Sequence, residues 1–570
     1  MQHLLLNTTA GPVVGLDLGA SEAFLGLPYA KPPLGQLRFA PSELLDRPWT
    51  TPHDGTSYGH PCHQSTVPPD VEPFEHPQTP PFVPKPSEDC LVVNVWRPKA
   101  SPPTATKLLP VLVWIHGGGF CAGASSEKWY EGARLASKNG VLVVSLNYRL
   151  GPLGFLATPE LKRTYGATGG MNGMRDQVTA LRWVQRHIAS FGGDPSRVTV
   201  AGESSGGLSV CTLNTAPSAR GLFHRAIIQS GPCIIPSNGW GPHTIAFGYN
   251  LSAALMARLN ASSIAALRAL PAAAVQWDSG TLGLNGFSGY FFDDGFLDEW
   301  PRAAYEGGRL NAADGLLLGH TSKDGTAPFY GVAPLANASA RAWAAAMHAR
   351  WGRRAPAVMA HYPLSRFANL SAVPAVPQSF VEADADNVMA CPMRTMASLA
   401  ATRGARAPTY AYVFAHCHVP CDAGFELQQL PWWLPQPRLK GCGWGSHGAD
   451  NKFVFGTTHG DDSLHAAPYP RLECPFDADE WALADYVGGR WAAFAKGDAP
   501  WWPFLAQQGD AAARTGGGAH TPVRVRPVHA TTPATRTRTA HLEVKAAWEH
   551  PLVDFKASDC AFWAEQEAAE

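Results

Sequence analysis

The chain has 570 residues, 45% of them hydrophobic, with 19 Trp and 25 Phe, enough to bury a substantial core. A formal net charge of −1 provides no field for nucleic acid or an anionic membrane surface. No stretch reads as a membrane-spanning helix, and residues 1–30 contain no Lys or Arg, so the charged leading region of a signal peptide is not expected there.

In chain order, residues 23–40 alternate short apolar runs with Pro and Gly, which predicts an irregular segment. Val111–Ile115 and Val141–Ser145 read as strands buried on both faces, and 128–139 carries helical spacing between them, giving a β-α-β unit and a parallel sheet. A second unit follows: Asp176–Phe191 is an amphipathic helix, Arg197–Ala201 a strand and Gly207–Thr212 a helix. Further on, strand signals occur at 316–318 and 410–414 and Ala-rich helical stretches near 340–360 and 480–496. From Ala511 to Leu542 there are five arginines and no acidic residue, which predicts a solvated surface loop. With no repeat and no flexible linker between patterned halves, residues 1–570 are expected to form one large α/β domain.

Between the 197–201 strand and the 207–212 helix stands Gly202-Glu203-Ser204-Ser205-Gly206. Strand, sharp turn and helix are what a G-x-S-x-G serine needs: the glycines permit the tight reversal that lifts Ser204 above the sheet edge, and the Ser205 N–H is left at a helix N-terminus. Ser204 is therefore a candidate nucleophile. His116-Gly117-Gly118-Gly119-Phe120 directly follows the 111–115 strand, where glycines let backbone N–H groups approach a tetrahedral intermediate. A serine nucleophile also requires a base oriented by a carboxylate, in chain order serine, acid, histidine. Asp324, in the loop leaving the 315–319 strand, fits the acid, with Asp293 and Asp294 as rivals. His447, just before Phe453-Val454-Phe455-Gly456, competes with His459 for the base, and chemistry alone does not separate the two.

These motifs, with NYRLGPLGF at 147–155, SEDCLVVNVW at 87–96 and SHGADNKFVFG at 446–456, resemble the type-B carboxylesterase and cholinesterase-like family from about residue 23 to 563. The resemblance implies an α/β-hydrolase fold, a large mostly parallel sheet flanked by helices. It places the nucleophile on Ser204, the acid on Asp324 where the family usually has Glu, and the base on His447, not His459. It assigns the oxyanion donors to the N–H groups of Gly118, Gly119 and Ser205, the last being Ala in most relatives. Glu203, beside the nucleophile, is read as a second electrostatic support for the imidazolium or as a structural carboxylate in a hydrogen-bond network. The resemblance implies Cys62–Cys90 and Cys391–Cys560 disulfides and leaves Cys417, Cys421, Cys442 and Cys474 with three open connectivities. An odd total of eleven cysteines leaves at least one thiol free, with Cys121, Cys211 and Cys233 the candidates.

The implied activity is hydrolysis of small-molecule carboxylic esters through an acyl-enzyme, with no metal or organic cofactor. Residues 63–89, inside the expected first disulfide, hold eight Pro and no Trp, which argues against the choline site of cholinesterases and against the helical lid of related lipases. A plain esterase is thus expected, with a lipase-like acylglycerol hydrolase or a non-catalytic adhesion or scaffold protein as alternatives. Eleven cysteines and five Asn-x-Ser/Thr sequons, at Asn7, Asn250, Asn260, Asn337 and Asn369, point to a secreted or lumenal protein.

Overall fold

The computed structural model describes residues 2–45, 47–64, 85–99, 107–166, 170–234, 243–275, 295–322, 324, 338–368, 375–402, 407–414, 416, 447–457, 476, 478–498 and 556–568. Asp293, Asp294, His459, Asn337, Asn369, the four unassigned cysteines, residues 65–84 and the 511–542 stretch lie outside them.

The strands are β1 (Gln2–Thr8), β2 (Gly11–Asp17), β3 (Ser21–Pro28), β4 (His53–Asp54), β5 (Val92–Pro98), β6 (Leu109–Ile115), β7 (Leu142–Leu146), β8 (Gly193–Glu203), β9 (Arg225–Gln229), β10 (Gly315–Thr321) and β11 (Thr409–Phe414). They form one sheet in the order β1-β2-β3-β5-β7-β6-β8-β9-β10-β11, with β4 paired to β2. From β7 to β11 every neighbouring pair is parallel. Continuous apolar sequence is what such strands require, because helices cover both faces. Val111, Val113 and Ile115 enter one core cluster with Val200 and Ile228, while Leu112 and Trp114 enter a second with Ala201 and Ile227. Each fully buried aliphatic side chain contributes about 1.5–3 kcal/mol.

The expectation of an irregular segment over 23–40 is corrected in its first part. Residues 23–28 belong to β3, whose pairing with β5 shifts register between Phe24 and Leu27. Gly26, at φ 63°, bends the strand there instead of ending it. Irregular chain begins at Tyr29 and includes a 3₁₀ turn at Gly35–Leu37. The 128–139 stretch is likewise divided, into a 3₁₀ turn at Lys128–Tyr130 and a helix at Ala133–Asn139. At Gly132, between them, a Cβ would lie 2.8 Å from the Trp96 ring, so the backbone crosses too close to that ring for a side chain.

The helix read from 176 runs from Asn172 to His187, continues as a 3₁₀ turn over Ile188–Phe191 and stops at left-handed Gly192. The helix after Ser204 spans Ser205–Leu213, and the Ala-rich stretches form helices at Ala340–Trp351, Ala355–His361 and Ala478–Lys496.

Cys62 bonds Cys90 and Cys391 bonds Cys560, the latter fastening the C-terminal helix Ala557–Ala568 to the helix Cys391–Thr402. The reading of Cys211 and Cys233 as free-thiol candidates is overturned. The helix Ser205–Leu213 lies alongside the segment leaving β9, bringing their Cα atoms to 5.7 Å, and the two sulfurs are bonded. Cys121 is the free cysteine among the described residues.

Candidate active site

Ser204 occupies the single residue between the end of β8 and the first residue of the helix Ser205–Leu213. Its backbone lies at φ 58°, ψ −124°, a region that costs a residue with a side chain about 1–3 kcal/mol. The flanking glycines serve a different purpose. A Cβ on Gly206 would fall 2.1 Å from the Ile115 carbonyl oxygen, and one on Gly202 would fall 2.6 Å from the Gly206 carbonyl carbon. The turn is therefore pressed against the end of β6, and only Ser204 carries the left-handed torsion. The Ser204 N–H donates to the Gln229 carbonyl across 3.0 Å, which helps hold the strained residue in place.

The loop after β6 adopts positive φ at Gly118 (100°), Gly119 (61°) and Phe120 (60°). Phe120 tolerates this because its ring is fully buried against Phe155. A Cβ on Gly117 would lie 3.1 Å from the Ser204 Cβ, so the loop packs directly on the turn. The N–H groups of Gly118 and Gly119 donate to no partner among the described residues, and that of Ser205 heads its helix, where no intrahelical acceptor exists. His116 anchors the loop: its ring stacks on Tyr148, its Nδ1–H donates to the Gly117 carbonyl, and the Tyr148 hydroxyl donates to the His116 carbonyl. Burial lowers the His116 pKa to about 4, so the ring is neutral.

Asp324, fully buried, sits three residues beyond β10. Its Oδ1 meets His447 Nδ1 at 2.5 Å, and its Oδ2 accepts from the Ser230 hydroxyl at 2.7 Å and from the Thr321 N–H at 2.8 Å. Burial opposes its charge, but the His447 ring outweighs that and holds the carboxyl below its ordinary pKa. His447 Nε2 lies 3.2 Å from Glu203 Oε1 and makes no hydrogen bond to Ser204. Burial alone would discharge this imidazole; the Glu203 and Asp324 carboxylates prevail and raise it to about 9. Burial pushes Glu203 up to about 7, against the pull of the His447 charge.

Behind these groups runs a buried polar layer that the sequence reading did not single out. Asn451 Nδ2 donates to Glu203 Oε2, Gln229 Nε2 donates to Asp450 Oδ2, and the Tyr412 hydroxyl donates to the same Asp450 oxygen. Trp491 Nε1 donates to Gln229 Oε1. Burial raises Asp450 to about 6 despite the donors from Tyr412 and Gln229. Asp450 and Asn451 were in view, within the 446–456 motif, and Gln229-Ser230 directly follows the apolar run of β9; polar residues at a strand end were the available signal.

The structure thus gathers Ser204, Ser205, Glu203, Gly118, Gly119, Asp324 and His447 at the C-terminal ends of β6, β8 and β10, the expected location of a site in a parallel sheet. The groups present, a half-buried hydroxyl on a strained backbone, an imidazole–carboxylate pair and free N–H donors, suit nucleophilic acyl transfer. Among the described residues there is no cluster of three or more His, Cys, Asp or Glu that could hold a metal ion, and no helix is long and apolar enough to cross a membrane.

Residues 2–510 match the carboxylesterase family. The chain is 45% identical over 231 residues to the para-nitrobenzyl esterase of Bacillus subtilis (strain 168), covering 40% of this chain and 44% of that protein. It is 46% identical over 224 residues to a cocaine esterase of Oryctolagus cuniculus, covering 39% of this chain and 40% of that one. It is also 44% identical over 243 residues to a cholinesterase of Mus musculus, covering 41% and 38%. The matched stretches thus span under half the length of these relatives. A solved structure of PNB esterase superposes with a TM-score of 0.64 at 30% identity, covering 88% of this chain and 92% of that one, and has an α/β-hydrolase fold. By sequence and by architecture, this chain belongs to the carboxylesterase family.

Proposed function

We propose that the chain hydrolyses carboxylic esters by two-step acyl transfer, with Ser204 as nucleophile, His447 as base and Asp324 as the carboxylate that orients it. The observation that carries this reading is the 2.5 Å contact between Asp324 Oδ1 and His447 Nδ1, which commits Nδ1 to the acid and leaves Nε2 turned toward Glu203, the residue next to Ser204. That nitrogen lies 3.2 Å from Glu203 Oε1, and in this reading it engages the Ser204 hydroxyl in the complex with the ester, where such bonds commonly tighten. As Oγ attacks the carbonyl carbon, Nε2 takes its proton. The developing oxyanion is received by the N–H groups of Gly118, Gly119 and Ser205, each worth about 3 kcal/mol of barrier. The imidazolium, stabilised by Asp324 and Glu203, then protonates the leaving alcohol, and water repeats the sequence on the acyl-enzyme.

The substrates in this reading are uncharged short- or medium-chain esters. The proline-rich, Trp-free stretch 63–89 supports that choice over choline esters and over interfacial lipids. The three disulfides support folding in an oxidising, secretory compartment. The family match over most of the chain supports residues 1–570 as one hydrolase domain.

A series of p-nitrophenyl esters from acetate to palmitate, with an organophosphate, tests the reading. The expected results are turnover of the shorter members, a single phosphoryl adduct on Ser204, and no turnover by folded Ser204→Ala. An adduct on Ser205, or activity in Ser204→Ala, would overturn it.

A further inference from the structure

Gln64 stands two residues beyond Cys62, which is bonded to Cys90. Its side-chain amide pairs with the backbone of one residue through two hydrogen bonds. Gln64 Nε2 donates to the Gly123 carbonyl at 2.7 Å, and the Gly123 N–H donates to Gln64 Oε1 at 3.1 Å. A side-chain amide docked on a backbone in this way fixes both the position and the plane of the peptide units it touches.

Gly123 is the far end of the loop that begins at Gly118. The loop closes on itself, the Cys121 and Ala122 N–H groups both donating to the Gly118 carbonyl, at 3.1 and 2.9 Å. Gly123 then passes beneath its start: at φ 104° it is so close that a Cβ there would meet His116 Nδ1 at 2.5 Å and the Gly117 carbonyl oxygen at 2.6 Å. No side chain can be interposed, so displacement of Gly123 passes straight to Gly117 and to the N–H groups of the two glycines that follow. The chain beyond Gly123 is held separately, by Glu127 accepting from Ala124 N–H and Asn147 accepting from Ser125 N–H. Among the described residues, Gln64 is an anchor that comes from the segment closed by the Cys62–Cys90 bond.

We propose that Gln64 is a positioning residue for the oxyanion donors: through Gly123 it sets the direction of the Gly118 and Gly119 N–H groups, and so couples the disulfide-closed segment to transition-state stabilisation. This rests on the reading of those two N–H groups as oxyanion donors. Gln64 touches no reacting atom. Its effect belongs to the oxyanion and not to the neutral ester, because donors aimed a fraction of an ångström off lose most where charge develops.

The test compares wild type with Gln64→Leu, which removes both hydrogen bonds, and Gln64→Glu, which keeps the acceptor for Gly123 N–H but loses the donor. Each is assayed on p-nitrophenyl acetate and against a trifluoromethyl ketone, whose adduct with Ser204 carries the oxyanion. Gln64→Leu is expected to lower kcat about ten- to hundredfold and to weaken the ketone by a similar factor, with KM within about threefold and Tm within a few degrees. Gln64→Glu should fall between, and it carries the test if the leucine variant does not fold. Wild-type kcat and ketone affinity in both variants would overturn the inference. So would losses that follow a lowered Tm, with KM rising as kcat falls. A wild-type protein that neither hydrolyses the ester nor labels at Ser204 would instead remove the proposed function, an outcome distinct from a silent Gln64 in an active enzyme.

Discussion

The Ser230 hydroxyl donates to Asp324 Oδ2 while Asp324 Oδ1 meets His447 Nδ1, so both oxygens of one fully buried carboxylate are committed in opposite directions. Ser230 itself sits at φ 48°, directly after β9, whose neighbour in the sheet is β10. Two adjacent parallel strands thus end in a hydroxyl and a carboxylate that lock each other.

Ser230→Ala should therefore loosen the acid without touching substrate. Loss of a hydrogen bond to a charged group is worth about 1.5–3 kcal/mol, or a fall in kcat/KM of about ten- to hundredfold. Asp324→Glu should also be impaired, although Glu is the family's usual acid, because one more methylene has no room between Ser230, the Thr321 N–H and the His447 ring. Steady-state rates on p-nitrophenyl acetate check both variants. Full activity in Ser230→Ala would show that Thr321 and His447 suffice to hold the acid.

The pH profile should be set by the two carboxylates flanking His447. A base must be neutral to accept a proton, and the ring is held up to about 9, so kcat/KM should rise with pH across the neutral and mildly alkaline range. Glu203→Gln removes one of the negative charges that stabilise the imidazolium. The pKa must then fall and the ascending limb move to lower pH. Profiles recorded from about pH 5 to 10 read this directly; an unmoved limb would mean that Glu203 does not govern the ring.

Uncharged esters should be hydrolysed with higher kcat/KM than choline esters of the same acyl length. A trimethylammonium group over a Trp face gains on the order of 2 kcal/mol when desolvated, roughly thirtyfold in affinity. Residues 63–89 contain no Trp to supply that contact. Competitive inhibition by simple quaternary ammonium ions at sub-millimolar concentration would show that another tryptophan provides the site.

An N-glycan is expected on Asn7. The three described sequon asparagines, Asn7, Asn250 and Asn260, are all exposed. Asn7 lies on β1, the outermost strand of the sheet, on the same face as Leu5, which is 61% exposed. Such an edge invites strand addition from other molecules unless something bulky or charged stands beside it. Enzymatic deglycosylation with mass mapping should find Asn7 converted to Asp in protein from the native source, and Asn7→Gln should self-associate more readily. Unmodified Asn7 would also count against the secretory assignment.

Much of the parallel half of the sheet was legible because strands buried on both faces, such as 111–115, are unbroken apolar runs. The candidate site was legible wherever a residue's chemistry and its place at a strand end coincided, as at Ser204 and Asp324, which follow β8 and β10. What escaped was relational. A bulge at Gly26 and a broken helix at Gly132 depend on what crosses nearby, Trp96 in the second case. The Cys211–Cys233 bond depends on a helix and a strand end becoming neighbours only in the folded chain. The layer of Gln229, Tyr412, Asp450 and Asn451 is assembled from three distant stretches: a polar residue at a strand end, such as Gln229, is a local signal, but nothing local names its partner 221 positions away.

The torsion at Ser204 sets stability and chemistry at odds at one position. Ala there would keep the strain, since it too has a Cβ; only Gly would relieve it, and Gly has no hydroxyl. A variant library sorted on heat resistance alone should therefore drift toward glycine at this site and lose its nucleophile. The reactive serine persists only while turnover itself is under selection.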